Sequence, residues 1–160
     1  MRLALVSVLL CSLASVTVAG DTSKCPTGFA QHGNSCYWFS NVRGSFAEAR
    51  GYCQFLRSHL ARITSKEEDD FVRHKAKELG RGFWLGATDL ITEGAFRWEG
   101  GVPLNYTNWI PGQPDNENIH NNPEHCLMIA KRGNRWNDLE CVVEIYFICE
   151  RRVAGCCCSN

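Results

Sequence analysis

Neither sign of charge is in excess: 17 Lys and Arg stand against 17 Asp and Glu in 160 residues. That balance excludes the basic patch that nucleic acid or an anionic membrane surface would require. The chain also lacks a Gly-x-Ser-x-Gly elbow, a phosphate-cradling glycine loop and metalloprotease spacing, so it does not read as an enzyme. His32, His59, His74, His120 and His125 are scattered, with no His-x-x-x-His interval and no pairing with a cysteine, so no zinc site is expected. There is no internal repeat. The apolar run Leu3–Leu13 is well short of the roughly 20 residues a membrane-spanning helix needs. Preceded by Met1-Arg2 and followed by small Ala19 and Gly20, it reads as a secretory signal peptide over 1–20. A secreted, extracellular domain over 21–152 and a Cys-rich tail over 153–160 follow.

Of the ten cysteines Cys11 leaves with the signal segment, and the remaining nine are read as a disulfide framework. Cys25–Phe29 and Ser35–Phe39 are short β-type runs around the turn His32-Gly33-Asn34, a hairpin that a Cys25–Cys36 bridge would staple. Ser45-Phe46-Ala47-Glu48 is a capping-box pattern, with Phe46, Ala49, Cys53 and Leu56 at helical spacing, and predicts a helix over about 45–57. Ser65-Lys66-Glu67-Glu68 repeats the pattern, with Phe71, Val72, Ala76 and Leu79 as the buried stripe and Gly80 as the stop. That predicts a second helix over about 66–79. Trp84, Trp98, Trp109 and Trp136 are expected to serve the core. Cys156-Cys157-Cys158 leaves an odd thiol, which implies one interchain disulfide and a homodimer. Asn105-Tyr106-Thr107 is an N-glycosylation sequon.

Gly, Pro and Asn crowd the stretch from Gly94 to Pro123, and a loop region of that length is where a site is to be sought. Gln113, Asp115, Glu124, Asn137 and Asp138 bring amide and carboxylate oxygens around Cys126 and Cys141, with no thiol or imidazole at those five positions. Such a set suits a hard cation, and calcium (Ca2+) is the expected cofactor.

Trp84-Leu85-Gly86, Asn108-Trp109, Gln113-Pro114-Asp115, Glu124, Trp136-Asn137-Asp138 and Phe147-Ile148-Cys149-Glu150, taken in order, resemble the C-type lectin-like domain family over about Cys25 to Glu150. The resemblance implies an α+β fold, with two helices flanking antiparallel sheets and a long loop region carrying the ligand site. It implies the pairings Cys53–Cys149 and Cys126–Cys141 beside Cys25–Cys36, among the many that six cysteines allow. It also implies a cis peptide before Pro114. Gln113, Asp115, Glu124, Asn137 and Asp138 would hold calcium, and the first four would share hydrogen bonds with the hydroxyls of a bound carbohydrate.

Gln-Pro-Asp is similar to galactose-type members, whereas Glu-Pro-Asn accompanies mannose-type ones. Asn116-Glu117-Asn118 follows here in place of the aromatic that galactose-selective members carry, so a loose galactose-type glycan selectivity is expected. An auxiliary calcium position is implied at Asp89, Glu93 and Asn116, with His125 standing where a further acid is common. Asp115 and Glu124 could mimic a glycosidase pair, but carboxylates bound to calcium stay ionised and cannot act as a general acid. Binding rather than catalysis is expected, in biomineralisation or in innate recognition of microbial glycans. The alternative is a mineral-matrix protein whose acidic loops contact calcium carbonate directly; ice binding is a third reading.

Overall fold

The computed structural model describes residues 25–117 and 122–153. The signal segment, the linking residues 118–121 and the tail with Cys156, Cys157 and Cys158 lie outside the described residues. Eleven elements follow one another: β1 (Ala30–His32), β2 (Ser35–Phe39), α1 (Phe46–Phe55), β3 (His59–Leu60), α2 (Lys66–Leu79), β4 (Phe83–Thr88), β5 (Arg97–Trp98), β6 (Val102–Pro103), β7 (Cys126–Ile129), β8 (Trp136–Leu139) and β9 (Tyr146–Arg152).

The last strand pairs with the first hairpin, β2 against β9, so the two ends of the domain close on each other. Among the described strands pairing is antiparallel except between β4 and β9, where Phe83 and Trp84 run parallel to Tyr146 and Phe147. The sheet is therefore mixed rather than antiparallel. A parallel pair needs a long crossover, and the long loop with β5 to β8 supplies it. The hairpin is also shifted: its first strand begins at Ala30, because Pro26–Phe29 turns, with Phe29 N–H donating to the Pro26 carbonyl at 3.0 Å.

Ser45 caps α1 as a full capping box, its hydroxyl accepting from Glu48 N–H while the Glu48 carboxylate accepts from Ser45 N–H at 2.8 Å. In α2 only half of the box forms. Ser65 accepts from Glu68 N–H, but the Glu68 carboxylate accepts from Thr64 N–H at 2.8 Å instead. The inner face of α2 differs from the apolar stripe too. Leu79 is 44% exposed, whereas Asp69 is fully buried beside Val72 and Ala76.

Two apolar clusters fill the interior. One is built on Tyr37, Val72, Leu85, Trp98, Leu127, Trp136 and Ile148; the other surrounds the Cys53–Cys149 disulfide with Phe46, Trp84 and Phe147. Trp84, Trp98 and Trp136 are buried and Trp109 is half-buried. Gly86 is required where β3 crosses β4, since a Cβ there would sit 2.7 Å from the Leu60 carbonyl oxygen. All three expected disulfides form: Cys25–Cys36, Cys53–Cys149 and Cys126–Cys141.

Buried Asp69 ties α2 to the long-loop region. It accepts from Trp136 Nε1–H at 2.8 Å, Tyr106 hydroxyl at 3.1 Å and Asn108 amide at 2.5 Å, and pairs with Arg73 at 3.4 Å. An Asp69→Ala substitution strands the indole N–H inside the core, which by itself costs about 1–3 kcal/mol. Urea unfolding should show that loss as a lowered midpoint with an unchanged slope.

Candidate functional site

The site grows outward from Trp136. Because Asp69 fixes the indole, the next two residues of β8 are placed by their pairing with β7, Asn137 opposite Met128 and Asp138 opposite Leu127. The long loop is zipped to the same strand, with Trp136 N–H donating to the Asn108 carbonyl at 2.9 Å and Ile110 N–H donating to the Trp136 carbonyl at 2.8 Å. A turn follows, Gln113 N–H to the Ile110 carbonyl at 2.9 Å, and then the cis peptide Gln113–Pro114. Glu124 enters from the other side, two residues before β7.

Asp115, Glu124 and Asp138 each offer a carboxylate oxygen, all within 4.8 Å of one another. Asp115 is exposed, Glu124 is 5% exposed and Asp138 fully buried. Gln113 joins them: its amide donates to Asp115 at 2.9 Å and its oxygen accepts from Asp115 N–H at 3.1 Å. The Asn137 amide donates to the Asp138 backbone carbonyl. Asn116 braces the group, donating its N–H to Asp138 Oδ2 at 2.8 Å and accepting Glu124 N–H at 2.6 Å.

Asp138 Oδ1 is buried without a hydrogen-bond partner among the described residues. Burial, reinforced by the charges of Asp138, Asp115 and Glu140, pushes the Glu124 carboxyl up to about 7. Burial likewise raises Asp138, against the lowering effect of the Asn116 N–H bond. Concentrated negative charge and an orphaned oxygen in an oxygen-only donor set fit a hard cation.

Asp89 and Glu93 lie apart from this group, and their third neighbour is His125. Asn116 is engaged with Glu124 and Asp138 as described above. The spacing of histidines along the chain gives no sign of His125 in this role, because its partners are remote in sequence and are brought to it by the β4–β7 pairing. Asn105 is exposed just beyond β6. No described helix is long and apolar enough to cross a membrane.

Residues 42–151 match the family model of the lectin C-type domain. The chain is 53% identical to perlucin of Haliotis laevigata over 131 residues, 79% of this chain and 83% of that protein. It is 34% identical to the galactose-specific lectin nattectin of Thalassophryne nattereri over 135 residues, 82% and 83% of the two chains. Other relatives are longer, and the chain spans under half of their length. The carbohydrate-recognition domain of the mouse scavenger receptor C-type lectin superposes with a TM-score of 0.75 at 34% identity, covering 81% of this chain and 98% of that one. The fold, the three disulfides and these matches together make the chain a member of the C-type lectin domain family.

Proposed function

We propose that this is a secreted, calcium-dependent carbohydrate-binding protein and not an enzyme, with Gln113, Asp115, Glu124, Asn137 and Asp138 holding the ion. The observation that carries the reading is the buried Asp138 Oδ1, without a partner among the described residues, beside the Glu124 and Asp115 carboxylates. When bound, calcium accepts roughly 6–8 oxygen ligands, so positions beyond those filled by the protein remain for sugar hydroxyls. The chain's own groups then orient the sugar. Amide N–H groups of Gln113 and Asn137 donate to sugar oxygens, and the carboxylates of Asp115 and Glu124 accept from sugar hydroxyls.

A galactose-type glycan is the ligand this order of amide and acid favours, with loose selectivity, since polar Asn116 and Glu117 follow Asp115. The likeness to a lectin described as galactose-specific supports that choice. Exposed Asn105 is the glycan acceptor of the chain itself, and the tail cysteines are the candidates for a disulfide-linked homodimer. Direct adsorption to calcium carbonate through acidic loop groups outside the calcium set, such as exposed Glu117, is the alternative. Free sugar competing for the same surface separates the two: adsorption that galactose does not displace, and that persists in Asp115→Ala, belongs to the mineral role.

The protonation of Glu124 makes the test quantitative. A proton held up to about pH 7 must leave before the carboxylate can ligate a metal. Calcium affinity should therefore fall by about tenfold per pH unit as the pH drops below about 7. The calcium-free domain behaves in the opposite sense. Because the folded value lies above the ordinary 4.5, the stability linked to Glu124 is fully present below about pH 4.5 and is lost as the pH rises through about 7. Calorimetric calcium titration and calcium-free melting, each repeated across that range with wild type and Glu124→Gln, should show both slopes and their loss in the variant.

A further inference from the structure

The auxiliary position that the family resemblance assigns to calcium carries the wrong donors for it. Calcium takes oxygen ligands, and two carboxylates would suit it. The third group facing Asp89 and Glu93, however, is an imidazole. His125 Nδ1 lies 2.9 Å from Asp89 Oδ1 and 3.5 Å from Glu93 Oε2. Asn116, the oxygen donor expected there, has its amide oxygen taken up by Glu124 N–H at 2.6 Å.

We infer that Asp89, Glu93 and His125 form a separate metal site that takes a borderline divalent transition ion, of which zinc(II) is the type, in place of a second calcium. Imidazole with carboxylate is a donor set such ions accept readily. The three donor atoms lie within 4.8 Å of one another. A tetrahedral ion with bonds of roughly 2.0–2.1 Å needs ligand-to-ligand edges of about 3.3 Å, and the observed contacts of 2.9 and 3.5 Å fall on either side of that value.

The frame beneath the site is rigid. Asp89 and His125 directly flank the paired residues Thr88 and Cys126, and Asp89 N–H donates to the His125 carbonyl at 3.2 Å. Cys126 is held in turn by its disulfide to Cys141. Asp89, only 2% exposed, keeps its second oxygen occupied by Gly94 N–H at 2.8 Å, which orients the first toward the imidazole. Glu93 is exposed and closes the site from the solvent side. Three protein ligands leave one coordination position open to water or to a ligand, as in zinc sites that are not purely structural.

The inference rests on donor chemistry and is independent of the calcium reading at Asp138. The test is calorimetric titration of the full secreted protein with zinc chloride in the presence of saturating calcium. One equivalent of zinc should bind. His125→Asp should weaken zinc by about tenfold or more and bind one more calcium than wild type. Glu93→Gln, at an exposed position where folding is not at stake, should weaken zinc without adding calcium. Cobalt(II) should give the visible absorption of a tetrahedral nitrogen–oxygen site in wild type and lose it in both variants. Asp115→Ala should leave zinc binding intact while removing calcium, so the two sites fail separately. Absence of zinc binding, or zinc binding in His125→Asp and Glu93→Gln as strong as in the wild type, overturns the assignment.

Discussion

Asp115→Ala is expected to abolish calcium-dependent glycan binding while leaving the calcium-free domain at least as stable as the wild type. The two effects have one cause. Asp115 is exposed and contributes to the negative field that raises Glu124 and Asp138, so its removal relieves repulsion when no cation is present. With a cation it removes a direct oxygen ligand. Loss of a supporting hydrogen-bond partner in a metal site costs roughly 10–100-fold in affinity, and loss of a direct ligand should cost at least that much. Calcium titration and a thermal melt in chelator read the two effects on the same preparation. A variant that loses stability in chelator would assign Asp115 a structural role instead.

The second large effect is on the fold. Cys53 and Cys149 are fully buried and join α1 to β9 across a sequence separation of 96. In the chain-entropy model, closing a loop of that length stabilises by about 4–5 kcal/mol, against about 3 kcal/mol for the Cys25–Cys36 bridge with its separation of 11. Small domains have only about 5–15 kcal/mol in total. Replacing Cys53 and Cys149 by serine should therefore lower the melting temperature by roughly 10–20 °C, with further loss because two hydroxyls enter an apolar cluster lined by Phe46, Trp84 and Phe147. Replacing Cys25 and Cys36 should cost visibly less. Equal losses in the two double variants would argue that loop closure is not what the disulfides supply.

Much of this architecture is legible in the sequence because local signals agree with the fold. The span of α2 is set by Ser65 and by Gly80 in its left-handed conformation, and α1 by its capping box. What the pattern does not reveal depends on contacts made far along the chain. Asp69 looks like a solvated residue of α2 until Trp136, Tyr106 and Asn108 are brought to it from the long loop and β8. Leu79, the last residue of α2 before the Gly80 stop, fits the apolar stripe by spacing but is exposed. The parallel β4–β9 pair is likewise a consequence of chain return and leaves no mark on either strand.

The candidate site divides in the same way. Gln113, Asp115, Glu124, Asn137 and Asp138 stand out as an oxygen-rich set at family positions. The burial of Glu124 and Asp138, and hence the raised Glu124, follows only from the packing around β7 and β8. His125 stands at a family position for the auxiliary metal, but its approach to Asp89 and Glu93 as a nitrogen donor follows only from strand pairing.

Calcium-dependent glycan binding is tested by a glycan array probed with the secreted protein in calcium and again in chelator, with Asp115→Ala alongside. Binding to galactose-terminated glycans is expected in calcium, with its loss both in chelator and in the variant. Glycan binding that persists in chelator, or that Asp115→Ala retains at full strength, would contradict that expectation.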